Sequence, residues 1–420
     1  MTLGRADLVG GVTTFITMAY IVIVNPTILS SPGTGIPFSG ALTATVLIAC
    51  SMTLLMGLYA RLPFAVAPGM GLNAFFAYTI VIQQGVPWPV ALGIVFWAGV
   101  LFLVVSVTPV RELIAAAIPP SLRLSAAAGI GLLLTFIGLR NAGLIDADPA
   151  TLVRLGTIDH RAALLLLGIV VSVMLIRRRS SLAFLAAIFL ITGIAWASGL
   201  AAPPDRLVSA PDFSSVFLQL DIVGALQLAL LPAIVAILFT DLFDSLSTFI
   251  GVAAAAGLTE PDGRPLNLRR GLIVDAFATL GAGLAGTSSG TAYVESIAGI
   301  RMGGRSGMAS VVTAVCFLPC FFVAPLAAAV PAYATAPVLV LVGAAMFQTI
   351  GGIDFSSMED SLPAFVTVVM IPLTFSITQG ILWGFILHAL LYAVAGRRRD
   401  VPAMLWILAA MSVGLLILER

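Results

Sequence analysis

The chain has 420 residues, of which 60% are hydrophobic and only 9% charged, and its mean hydropathy is +1.13. Soluble globular proteins run nearer half apolar and a quarter charged, so a soluble enzyme, a nucleic-acid binder and a disordered chain are excluded, and lipid is left as the solvent. All 20 cations are arginine and the net charge is only +1, so bulk charge says nothing about partners and the position of each charge says much.

Residues Met1 to Leu8 lack a cleavable signal pattern, so the first apolar stretch reads as a retained span. A helix needs about 20 apolar residues to cross the hydrocarbon core. The first half of the chain offers such runs at 8–29, 39–58, 88–107, 121–138, 161–176 and 182–199, with a short one at 73–83. The second half offers 224–256, 269–285, 307–328, 334–351, 362–378 and 380–396, with a short one at 291–300. That predicts seven spans plus seven, and 402–418 is left as a further span or a surface helix.

Arginine placement tests the count. With the N-terminus in the cytoplasm, fifteen arginines fall inside: Arg5, Arg61, Arg111, Arg123, Arg177–Arg179, Arg264, Arg269, Arg270, Arg301, Arg305 and Arg397–Arg399. Four fall outside, Arg140, Arg154, Arg161 and Arg206, and Arg420 is uncounted. The positive-inside rule therefore supports 14 spans with an inside N-terminus. Segment 352–361 runs against it, with Asp354, Glu359, Asp360 and no arginine; acids weigh little in the rule, so the topology stands.

Two segments break the pattern. Residues 61–72 are rich in Gly and Pro, residues 283–291 in Gly, Ser and Thr, and each precedes a helical run too short to span. Each is the third segment of its half, and laying Gly71 on Gly290 also lays 88–107 on 307–326. Seven spans per repeat is an odd number, so the halves are inserted upside down relative to one another. Paired broken helices at the midplane of an inverted repeat are the hallmark of secondary transporters. Non-helical backbone at that depth is tolerated only where protein buries it or a cavity adjoins it.

Ionisable groups inside spans are costly and mark function. They are Asp241 and Asp244 in the eighth span, Asp275 in the ninth, Glu295 after the second break and His388 near the end of the fourteenth. A helix starting near Ala292, capped by Thr291 or Ser289, would place Glu295 in its first turn, beside free backbone N–H groups. One carboxylate plus such amides complements the edge of a purine, which presents both donors and acceptors. Asp241 and Asp244 share a helix face with Ser245 and Thr248. Two acids at that spacing in lipid are not both comfortably ionised, and one can carry a proton near neutral pH. Asn73 opens the first short helix, as an N-cap or as a group that both donates to and accepts from a base. Phe75, Phe76 and Phe243 are candidates for stacking on a flat ring, and Thr13, Thr14, Thr17 and Tyr20 form a polar stripe in the first span. Asp275 is expected to pair with Arg269 or Arg270, and His388 to be a helix-end residue. Cys50, Cys316 and Cys320 lie in apolar runs and read as core residues. No nucleotide loop, metal-ligand cluster or nucleophile–base triad can be quoted, so no enzyme activity, cofactor or metal is expected.

Four stretches together resemble a known family: Gly11 to Tyr20 running on to Asn25-Pro26, Pro68 to Tyr78, Phe239 to Ser245, and Gly286 to Ser296. They are similar to the AzgA-type purine permeases, the hypoxanthine/guanine/adenine branch of the second nucleobase–cation symporter family. The likeness runs from about residue 8 to about residue 396. It lacks the Asn-x-Gly-x4-Thr pattern of the uracil and xanthine branch, and the N-terminal tail is shorter than usual. The resemblance implies an all-α membrane protein of 14 segments in a seven-plus-seven inverted repeat. It implies a core domain (about 6–108 and 222–328) moving against a gate domain (about 109–221 and 329–396), with 397–420 as a C-terminal segment and a homodimer as the assembly. It carries substrate-binding roles onto Asn73, Asp241, Asp244 and Glu295.

Residues and resemblance together give an expected function: import of purine nucleobases across a bacterial inner membrane by proton rather than sodium symport. Glu295, Asp241, Asn73, Phe243, Ser289, Thr291 and Phe75 would bind the base, and Asp244, Asp241 and Glu295 would handle the proton. The rival reading is a sulfate-type anion permease or exchanger on the same architecture. Such proteins usually place a cation near the broken helices and carry a C-terminal regulatory domain, whereas this chain puts acids there.

Overall fold

The computed structural model describes residues 3–108, 118–259 and 265–418. Arg111, Arg264 and Arg420 therefore lie outside the described residues. The chain is a mostly helical, polytopic membrane fold. Among the described residues, eight helical stretches are long and apolar enough to cross a bilayer, and four shorter apolar helices accompany them.

The first repeat begins with α1 (Arg5–Met18) and α2 (Ile21–Leu29), one span broken at Ala19–Tyr20. Helix α3 (Phe38–Leu55) widens into a π turn, Met56–Ala60, which ends at Arg61 with φ +58°. Next come β1 (Val66–Pro68), α4 (Met70–Ala74) with its π-helical extension Phe75–Gln83, and α5 (Trp88–Val107). Helix α6 (Pro120–Asn141), an exposed hairpin of β2 (Ile145–Asp148) and β3 (Leu152–Leu155), α7 (His160–Arg177) and α8 (Ala183–Ala197) complete it.

The second repeat follows the same plan. Helices α9 (Leu231–Ala256) and α10 (Leu268–Ala285) precede β4 (Gly290–Ala292) and the half-helix α11 (Ser296–Arg301). Then come α12 (Gly307–Phe317) with α13 (Ala324–Ala328), α14 (Ala332–Phe347), α15 (Met358–Thr374) and α16 (Ile377–Val394). Helix α17 (Ala403–Leu418) packs along α16 and α9.

Packing sorts these helices into two groups. One joins α1–α5 to α9–α13, chiefly through α10 on α5 and α3, α12 on α1 and α3, and α2 on α3. The other joins α6–α8 to α14–α16, chiefly through α6 on α14 and α15. The groups meet where α4 touches α6, α9 touches α16 and α1 touches α8. A side-chain bond crosses the same boundary, from Thr79 Oγ1 to the carbonyl of Phe375, a non-glycine residue with φ +53°.

Three expectations are corrected here. The first short helix starts at Met70 with Gly69 as its N-cap, so Asn73 lies inside α4 and does not cap it. In the second break, residues 290–292 are a strand, not the start of a helix, because they pair with β1. Helix α11 accordingly begins at Ser296, and Glu295 is its N-cap residue, with no capping bond from its side chain. Gly71 thus lies in a half-helix while Gly290 opens a strand, so the offset that aligns the following spans does not bring the breaks into register.

Segment 352–361, the exception to the arginine pattern, falls into place. Arg397 Nη1 lies 3.5 Å from Glu359 Oε1, and Tyr392 donates to Asp360 at 3.0 Å. Its acids therefore share a membrane face with the arginine run 397–399. Cysteines placed at the exposed positions Met358 and Arg398, in a chain without Cys50, Cys316 and Cys320, should react with a membrane-impermeant maleimide from one and the same side.

Lipid offers helices no hydrophobic reward for associating, so close approach of small residues holds such bundles together. A Cβ on Gly131 would sit 2.4 Å from the carbonyl oxygen of Gly343, and one on Gly343 would sit 2.3 Å from that of Gly131. Gly131→Ala should lower the melting temperature in detergent, at a cost of about 1–3 kcal/mol. Gly193→Ala, where a Cβ meets nothing within 4 Å, should leave it unchanged or higher.

Candidate substrate site

The two breaks meet. Strands β1 and β4 pair antiparallel, with Val66 opposite Ala292, Ala67 opposite Thr291 and Pro68 opposite Gly290. Gly69 N donates to Ser289 O at 2.9 Å, Tyr293 N to Ala65 O at 2.9 Å, and Ala65 N to Ser296 Oγ at 3.0 Å. Tyr293 Oη donates to Pro68 O at 2.5 Å. Each break thus satisfies the backbone groups that the other frees.

Polar side chains gather around this pair. Asp241 on α9 is fully buried, and its Oδ2 accepts from Ser289 Oγ at 2.6 Å and from Thr279 Oγ1. One turn along α9, Ser245 donates to Asp275 Oδ2 and lies 3.0 Å from Thr291 Oγ1. Asn73 Oδ1 accepts from Ser288 Oγ. Glu295 Oε1 accepts from Tyr20 Oη at 2.7 Å, and Tyr20 rests edge-on against Phe184 of α8. Asp244 is half-buried and within electrostatic reach of Glu295.

The cluster keeps unused hydrogen-bonding capacity. Asp241 Oδ1, Asp275 Oδ1 and Asn73 Nδ2 are buried without a partner. Buried polar atoms are almost always paired, so unpaired atoms on residues that bond the second break, Asn73 through Ser288 and Asp241 through Ser289, make this cluster a candidate to receive a polar ligand. Among the described residues, no ion pair involves Asp241, Asp244, Asp275 or Glu295, and no group of His, Cys, Asp and Glu suits a metal.

The structure brings Asp241, Ser289, Thr291 and Asn73 into one network, with Glu295 at its edge. Phe243 lies outside this hydrogen-bonded network, at the boundary of the two helix groups. It stacks on Phe239 at 5.9 Å and lines an apolar cleft with Leu122, Ile381 and Phe385, because residues two apart on a helix face different ways. Phe75 and Phe76 are fully buried in the core. Of the threonine stripe, Thr13 and Thr17 bond back to their own helix, Thr14 packs on Gly299, and only Tyr20 reaches the site. His388 is buried beside Asp360, at 3.7 Å.

Asp275 is the main surprise. It does not pair with arginine: Arg269 donates to the carbonyl of Val107, and Arg270 lies over the ring of Tyr59. The available signal was helical spacing, since Asp275 and Thr279 are four apart and present one face to α9 and β4. Asn25 was also passed over. It is fully buried and donates to Thr45 Oγ1 at 2.7 Å and Thr287 Oγ1 at 3.0 Å.

A family model described as a permease family, Xan_ur_permease, matches residues 5–383. The chain belongs to that family. It is 39% identical over 413 residues to the adenine permease AdeP of Escherichia coli, covering 98% of this chain and 92% of that one. It is 38% identical over 415 residues to the guanine/hypoxanthine permease PbuG of Bacillus subtilis, covering 96% and 94%. The transmembrane domain of the cyanobacterial bicarbonate transporter BicA shares its fold, with a TM-score of 0.68 at 17% identity over 90% of this chain and 97% of that one. The chain is thus a multi-pass permease, not an enzyme.

If Asp275 works within this cluster, Asp275→Ala should abolish substrate uptake. Arg269→Ala and Arg270→Ala should leave uptake within about twofold at equal protein amount, as expected of exposed charges.

Proposed function

We propose that this permease imports purine nucleobases by proton symport across the bacterial inner membrane, with its N-terminus in the cytoplasm. The observation that carries the reading is that Asn73 and Asp241, which bond the neighbouring Ser288 and Ser289 of the second break, keep an unpaired donor, Nδ2, and an unpaired acceptor, Oδ1. A purine offers an acceptor and a donor along one edge, and a site built to hydrogen-bond such groups rejects analogues that lack them by large factors. The names of the relatives AdeP and PbuG support the same substrate class.

Proton coupling follows from acids left in the membrane without cationic partners. A proton enters at Asp241, Asp244 or Glu295, the base binds against Glu295, Asn73 and the hydroxyls of Ser289 and Thr291, and both leave on the other side. Each ligand favours the other, a linkage that runs both ways. The helix group α1–α5 with α9–α13 acts as the core. It moves against a gate of α6–α8 with α14–α16, across the contacts of α4, α9 and α1, and the working unit is a homodimer. In this reading the core comprises about 6–108 and 222–328, the bounds expected from the sequence.

Uptake of labelled hypoxanthine, guanine, adenine, uracil and sulfate by proteoliposomes tests the reading, under imposed pH or sodium gradients. Purine uptake driven by the inward proton gradient is expected. Glu295→Gln should reduce it by about tenfold to a hundredfold, the worth of a charge-assisted hydrogen bond, with the protein still in the membrane. Sulfate uptake, or normal hypoxanthine accumulation by Glu295→Gln, would sink it.

A further inference from the structure

We infer that Asn25 is a positioning residue for the substrate site, acting through the turn that carries Ser288 and Ser289. Three consecutive hydroxyl residues form that turn, and each reaches a different span. Thr287 accepts from Asn25 on α2, Ser288 donates to Asn73 on α4, and Ser289 donates to Asp241 on α9. The turn follows Gly286, whose φ of +97° ends α10. Backbone bonds hold its two ends, Thr287 N on the carbonyl of Ala282 at 3.0 Å and the carbonyl of Ser289 on Gly69 N at 2.9 Å, so its side-chain contacts are left to set which way the three hydroxyls face.

Polar bookkeeping fixes how Asn25 is held. Thr45 spends its proton on the carbonyl of Ala41, at 2.6 Å, so its oxygen can only accept from Asn25. That orients the amide with Nδ2 toward Thr45 and Thr287 together, and both its protons are used. Asn25, Thr45 and Thr287 are all 0% exposed, so no water replaces the bond if it is lost. With Thr287 pinned, Ser288 occupies Asn73 Oδ1 and Ser289 occupies Asp241 Oδ2. The opposite atoms of those groups, Nδ2 and Oδ1, are thereby left for the ligand. Asn25 Oδ1 is buried and unpaired as well, but the inferred role lies in its Nδ2 bonds, which set which atoms of Asn73 and Asp241 are free.

The inference rests on the purine reading for one of its two readouts. The first is the KM and maximal rate of purine uptake at equal protein amount. Asn25→Ala and Thr287→Val should each raise KM about tenfold, equivalent to about 1.4 kcal/mol. The double variant should add less than about twofold, because both changes remove one bond. Thr287→Ser, which keeps the hydroxyl, should restore KM, and Thr45→Val, which removes only the anchor on α3, should leave it within about twofold. The second readout needs no substrate: a cysteine at Ser288, in a chain without native cysteines, should react with a small thiol reagent at least about fivefold faster after Thr287→Val but not after Thr45→Val. Additive effects in the double variant overturn the inference. So does an equal KM or labelling change from Thr45→Val, or a fall in protein amount with KM unchanged. If the wild type carries no purine, the purine reading fails and labelling alone decides the role of Asn25.

Discussion

Everything at the centre of this protein follows from one constraint: backbone polar groups in the hydrocarbon must find partners inside the protein. A span that stops being helical exposes N–H and C=O groups where no water can reach them. Here two such stops solve each other's problem by pairing as β1 and β4. The pairing brings the third segments of two inverted repeats face to face, and it fixes the direction in which α4 and α11 leave the midplane. Glycine at 69 permits the approach, since a Cβ there would sit 2.9 Å from Thr291 Cγ2. The polar site is a by-product of the same solution. Ser and Thr satisfy and shape the break, and their hydroxyls then select which edges of Asp241, Asn73 and Asp275 remain unpaired.

Charge follows a second logic. Outside the bilayer, arginines and acids sit at helix ends, where Arg397 meets Glu359 and Asp400. Inside it, acids stand among hydroxyls instead of cations. A buried carboxylate facing arginine would be locked in one state. One held only by Ser and Thr donors can change state when a proton or a ligand arrives, and a coupled carrier needs that freedom.

The sequence made much of this legible, for physical reasons. Span count and order follow from hydropathy and arginine placement, because lipid penalises every exception. Glu295, Asp241 and Asn73 stood out because polar groups in apolar runs, or next to helix breakers, are costly to keep. The misses share a cause. Residues 290–292 became a strand because of a partner 224 residues away, which no local pattern encodes. Asp275 was assigned to arginines near it in sequence, yet its side chain turns toward α9. Asn25 is one polar residue before a proline, and only the fold shows that it bonds Thr287.

The fold alone does not choose a cargo. The bicarbonate transporter BicA has the same architecture at 17% identity, so the architecture does not by itself identify what is carried. Their N-termini bring partial positive charge toward the crossing. An anion site would leave that charge available. In this chain Glu295 occupies the N-cap of α11, and Asp244 lies within its electrostatic reach. Two protein carboxylates thus stand near that end, and when ionised they would disfavour an anion there. The unpaired Asn73 Nδ2 and Asp241 Oδ1 offer hydrogen bonds of both polarities.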